Sequence, residues 1–124
     1  MTLEDLQAFC AKMPGVSWDT PFGPDVLVFR VGPASQASAG QAKMFAFAPI
    51  GVFATLNLKC DPERAIELRE RYEGIMPGYH MNKRHWNTVD VTGSVPQMLI
   101  RELVDHSYEL VKASLPKKVR EGLR

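Results

Sequence analysis

Between Tyr79 and Asn87 the chain carries His80, Asn82, Lys83, Arg84, His85 and Trp86. Cations, amides and aromatics in so short a stretch are the side chains that phosphate contact and base stacking require. The segment joins a connector to a predicted strand, where alternate residues face opposite ways. Lys83, His85 and Asn87 are then expected on one side, with Arg84 and Trp86 on the other, so they cannot all share one flat surface. The plainer expectation for the aromatics is that Trp86 and Tyr79 pack under the last helix, polar tips hydrogen-bonded. A second cationic group is the tail. Residues 112–124 hold Lys112, Lys117, Lys118, Arg120 and Arg124 against Glu121, a net +4, while the other 111 residues carry a net −3. Such a tail either holds a phosphate backbone without reading sequence or is a solvated, frayed end. Together the two groups form a grip only if they converge in space.

Catalytic patterns are weaker. Asp105-His106-Ser107 spells triad residues. Consecutive helical positions diverge by about 100°, so these three cannot relay a proton to one another. His106 lies at the edge of an apolar stripe, where a packed histidine is expected. There is no G-x-S-x-G elbow and no glycine-rich phosphate loop. His80 and His85 lack a carboxylate or cysteine partner at ligand spacing, so neither a metal nor a cofactor is expected. Cys10 and Cys60 form no C-x-x-C pair and read as small buried hydrophobes in a reducing cytoplasm. Cys60, just before a predicted helix start, is the less inert.

These residues sit in 124 residues that are 45% hydrophobic and 23% charged, with net charge +1. The length fits one domain, 1–124. The charge balance gives no global pull toward nucleic acid, membranes or acidic partners. Without an apolar run near 18 residues, no membrane span is expected. The acidic, amphipathic start is wrong for a signal peptide.

Local signals place the elements. Residues 2–13 read as a helix with Thr2 as N-cap, ended by Pro14-Gly15. Strands follow at 16–20, 26–31, 43–48 and 52–59, an antiparallel meander with a mobile hairpin loop at 32–42. Asp61-Pro62-Glu63 starts a second helix with Ala65, Leu68 and Tyr72 on one face, stopped at Glu73-Gly74. Residues 75–79 read as a connector and 86–91 as a strand. Ser94 is the expected cap of a last helix, which buries Leu99, Ile100, Leu103, Val104, Leu110 and Val111 and stops at Pro116. Ser107 falls on its apolar face, its hydroxyl expected to bond back to the Leu103 carbonyl. The sum is an α+β fold of two layers. Three helices pack on an antiparallel sheet of five to six strands, in the order α-β4-α-β1/2-α.

Six segments are not explained by patterning: Pro21-Phe-Gly-Pro24, Lys43-Met-Phe-Ala46, Asn57-Leu-Lys-Cys-Asp-Pro62, Pro77-Gly-Tyr-His-Met-Asn-Lys-Arg-His-Trp-Asn87, Asp105-His-Ser-Tyr108 and Ala113-Ser-Leu-Pro-Lys117. In this order they resemble the MmcQ/YjbR family of small bacterial proteins over essentially the whole chain. The resemblance implies a CyaY-like or secretion-chaperone-like two-layer fold, a bacterial cytoplasmic protein and DNA binding through a double-wing motif.

The first functional expectation is therefore a non-enzymatic DNA-binding module, weak and salt-dependent. It would use Lys83, Arg84, Lys117, Lys118 and Arg120, with His85 and Asn87 as hydrogen-bond donors. The alternative is a protein-interaction or chaperone-like adaptor, partnered or homodimeric, using the open sheet face and the adaptable Met44, Met76, Met81 and Met98. The third is a small-molecule binder with a pocket near His80, His85 and Asp105.

Overall fold

Local chemistry sets the element ends. The computed structural model describes residues 1–33 and 41–123. Helix α1 (Leu3–Ala11) begins at a capping box. The Asp5 N–H donates to the Thr2 hydroxyl, and the Thr2 N–H donates to the Asp5 carboxylate. Strands β1 (Val16–Asp19), β2 (Val26–Val31), β3 (Lys43–Pro49) and β4 (Thr55–Lys59) form the expected meander. The loop expected at 32–42 lies, from residue 34 to 40, outside the described residues. Helix α2 (Pro62–Arg71) starts at Asp61, whose carboxylate accepts from the Arg64 N–H. Then come β5 (Ile75–Pro77), β6 (Trp86–Asp90), α3 (Gln97–Ala113) and α4 (Lys117–Glu121).

Among the described residues, six strands form one sheet in the order β1-β2-β3-β4-β6-β5, with every neighbouring pair antiparallel. Directly opposed residues share a face. The row Phe29, Ala46, Leu58 lies in the core with Ile100, Leu103 and Val104 of α3. The next row is Asp19, Val28, Phe47, Asn57, Thr88, Met76, which faces the other way. The core cluster draws in Leu6 and Cys10 of α1, and Ala65 and Leu68 of α2. One sheet face is thus packed and the other is open.

Four particulars depart from the sequence reading. Among the described residues there are four helices, since the tail folds as α4 behind Pro116, with Val119 and Leu123 packed on the core. Residues 75–77, read as connector, make a short edge strand, where Pro77 is tolerated at an outer position. Ser94 does not cap α3. Its hydroxyl donates to Asp90, and Pro96 occupies the cap position without a side-chain bond. Ser107 does not bond back to Leu103.

The Ser107 bond has a physical cause. Phe29 pairs with Ala46 but Arg30 pairs with Met44, so Phe45 is an extra residue that bulges β3. The bulge leaves the Phe45 carbonyl and the Lys59 N–H without ladder partners. The fully buried Ser107 hydroxyl donates to the Phe45 carbonyl at 2.5 Å and accepts from the Lys59 N–H at 2.9 Å. It completes the sheet from the helix layer. Ser107→Ala leaves both backbone groups buried and unpaired, so it is expected to cost about 2–4 kcal/mol in urea unfolding. A loss under about 0.5 kcal/mol would show that the hydroxyl is dispensable to the sheet.

Candidate functional site

The segment 78–85 is a turn between two paired strands, held chiefly by its own backbone. The Gly78 N–H donates to the Trp86 carbonyl at 2.8 Å, and the Trp86 N–H to the Asn82 carbonyl at 3.0 Å. A side chain at Gly78 would place its Cβ 2.7 Å from the Trp86 Cβ, so only glycine allows this approach. The Asn82 side chain accepts from the Arg84 N–H, and the Lys83 ammonium donates to the Gly78 carbonyl at 3.1 Å. Arg69 of α2 fastens the turn from the helix layer. Its Nε donates to the Asn87 side-chain oxygen at 2.7 Å, and its Nη2 to the carbonyls of Lys83 and Trp86. Sequence reasoning passed over Arg69. The available signal was its place on the apolar face of α2, four residues after Ala65 and one after Leu68.

This geometry sorts the predicted residues. Lys83 and Arg84 are exposed, and His85 is half-buried. Asn87 is a correction. It lies on the packed face opposite Leu58, is 2% exposed, and its oxygen accepts from Arg69, so burial withholds it from the outer surface. Trp86 is a second correction. It sits on the open face against Phe47, ring centroids 6.1 Å apart, rather than under the last helix. Tyr79 is 68% exposed; the aromatic under α3 is Phe45, edge-on to the Tyr108 ring. Lys59 stands opposite Trp86, and the Cys60 N–H donates to the His85 carbonyl, so Lys59 joins the turn.

Beside the turn, the open face holds a groove of about 480 Å³. Phe47, Met76, Tyr79 and His80 are among its walls, and Asn57 and Thr88 among its floor. The floor is internally bonded. Thr88 Oγ1 donates to Asn57 Oδ1 at 2.6 Å and accepts from the Tyr79 N–H at 3.0 Å, and Asn57 Nδ2 donates to the Phe47 carbonyl. The Tyr79 and His80 rings lie 4.0 Å apart, inclined by 51°. His80 has φ +59°, a left-handed backbone that is uncommon outside glycine and is held here by the surrounding turn. The groove borders His80, as the small-molecule reading required, but Asp105 lies away on α3. Of the methionines named for an adaptor surface, Met76 lines the groove, whereas Met98 is exposed on α3 in the other layer.

The tail lies elsewhere. Leu123 packs against Gly15, and a small cavity at this edge is lined by Gly15, Gly32 and Pro33 together with Leu123. That is the β1–β2 edge, whereas residues 83–84 adjoin β6. From β2 to β6 the sheet spans about 14 Å at ~4.8 Å per strand. The two cationic groups thus stand at different strands of the sheet, three strand spacings apart. Lys117 pairs with Glu121 at 3.9 Å, and Arg120 donates to the Ala113 carbonyl, as Lys83 does to that of Gly78. Among the described residues the ion pairs are Arg30–Asp19, Arg64–Glu102 and Lys117–Glu121. None neutralises Lys59, Lys83 or Arg84.

The remaining reactive side chains are used structurally. Both cysteines are buried, and burial pushes the Cys10 thiol up to about 12 and the Cys60 thiol up to about 11. His106 Nε2 accepts from the Asp61 N–H at 3.1 Å, so the imidazole is neutral with its proton on Nδ1. Burial first, and the nearby Arg64 second, lower its pKa, with Asp61, Glu102 and Asp105 acting in the opposite sense.

A model of the YjbR family matches residues 11–110. The chain is 33% identical to the uncharacterized protein YbdF of Escherichia coli, covering 98% of this chain and 93% of that protein. It is 30% identical to the uncharacterized protein YjbR of the same species, covering 99% and 98%. The crystal structure of Deinococcus radiodurans protein DR2400, a DUF419 domain, superposes with a TM-score of 0.87 at 41% identity, covering 97% of this chain and 86% of that one.

His106 makes stability depend on pH. Its folded pKa lies below the ordinary value of about 6.5, so as pH falls the unfolded chain takes up the proton first. The stabilisation is present above pH ~6.5 and lost as pH falls through the lower folded value. Melting temperatures from pH 8 down to 5 are expected to drop more steeply for the native chain than for His106→Gln; identical profiles would contradict the assignment.

Proposed function

The chain belongs to the YjbR family, and from that premise and its own side chains we propose that it binds nucleic acid through the turn at Lys83 and Arg84. The observation that carries the reading is the state of these two cations. They are exposed, mounted on a turn fastened by Arg69, and free of acidic partners among the described residues. Among the described residues Arg69 itself pairs with no carboxylate, so its charge adds to the potential there. Lys59 supplies a further cation beside them, and His85 a hydrogen-bonding edge.

Phosphates are the anions that such a cluster suits. Exposed Lys and Arg displace condensed counterions from a nucleic-acid backbone, which yields affinity without sequence readout and a steep salt dependence. The tail is set aside, because it sits at the β1–β2 edge and Lys117 has an acidic partner in Glu121. The activity is one of binding, with no bond made or broken.

Fluorescence anisotropy at low salt is expected to show a complex at tens of micromolar oligonucleotide. Lys83→Glu with Arg84→Glu should weaken it about tenfold or more and flatten the log–log salt slope by about 2. Lys118→Glu should weaken binding clearly less than the double variant does, since the tail stands at the β1–β2 edge, three strands from β6. No complex at low salt, or equal loss from Lys118→Glu, would overturn this reading.

A further inference from the structure

Resting on that reading, we propose that the open-face groove takes the base of an unpaired nucleotide, so that the protein's partner is single-stranded nucleic acid. Four observations converge on this occupant. First, the groove and the cations are neighbours. Lys83 donates to the carbonyl of Gly78, the residue before Tyr79 of the groove wall, and Lys59 lies two residues beyond Asn57 on the same face. A phosphate on these cations places its own sugar and base at the groove mouth.

Second, the volume suits one flat ring system with its sugar, near the lower part of the range for small-ligand sites. A base inside a duplex cannot enter without being flipped out, at a cost of a few kcal/mol. Third, the wall is aromatic. Tyr79 is largely exposed, and its ring lies 4.0 Å from that of His80, whose backbone is left-handed. Exposed aromatic rings beside a cationic track are the means by which single strands are held regardless of sequence. Fourth, the floor is polar, with Asn57 and Thr88 among its lining. The Asn57 amide spends one lone pair on Thr88 and one N–H on Phe47, so these bonds leave part of its hydrogen-bonding capacity unused. An amide carries both a donor and an acceptor, the combination that base edges call for.

The test compares a fluorescein-labelled single strand of thymidines with a duplex of equal length, both by anisotropy at low salt. The single strand is expected to bind about tenfold more tightly. Tyr79→Ala should abolish that preference while leaving duplex affinity within about twofold, and Tyr79→Phe should retain it. Equal affinity for both forms, or a preference that survives Tyr79→Ala, overturns the groove inference. If the duplex still binds with steep salt dependence, the cationic turn stands and only the groove falls. Binding of neither form overturns both. Thymidine monophosphate competing as well as the oligonucleotide would overturn the strand in favour of a free nucleotide.

Discussion

One guanidinium determines where the surface cations stand. Arg69 reaches from α2 to the side chain of Asn87 and the carbonyls of Lys83 and Trp86. All three acceptors are neutral. Hydrogen bonds to a charged donor are stronger than neutral ones and offset the loss of water around a half-buried cation. Because no carboxylate joins in, the charge is satisfied by dipoles and still contributes to the field outside. The same contacts bind α2 to the start of β6, so a helix-layer residue positions a turn that opens on the other side of the sheet.

That coupling follows from a one-sided core. The helices cover the face bearing Phe29, Ala46 and Leu58, while Phe47, Asn57, Thr88 and Met76 remain on the open face. An open face with Trp86 nearly buried against Phe47 and Tyr79 largely exposed is graded rather than uniformly apolar. The side chains that spell out catalysis in the sequence are consumed by the packed layer. Ser107 completes a bulged sheet, and His106 accepts from the start of α2. Those bonds give Ser107 and His106 structural partners, while Asp105 is exposed.

The features legible in the sequence were those fixed within a few residues. Thr2 with Asp5, and Asp61 with Pro62, announce helix starts by chemistry that needs no tertiary partner. Alternation separated Trp86 from Asn87 correctly, but it carries no sign for which side is the core. The larger, more apolar residue went to the open face, because Arg69 claimed Asn87 from the helix side. The role of Ser107 was unreadable since it depends on a bulge at Phe45, sixty-two residues away. The tail followed the same logic. Its charge was visible, whereas its address at the β1–β2 edge depends on Leu123 finding Gly15.

The central claim is that one end of the open face, rather than the tail, receives a polyanion. The most direct measurement is a titration of the ¹⁵N-labelled protein with a short oligonucleotide, followed amide by amide. The account predicts shifts concentrated at residues 57–59 and 76–88, with α4 and the outer surface of α3 unmoved. Shifts confined to residues 117–123, or spread over the helix layer while the turn stays silent, would contradict it.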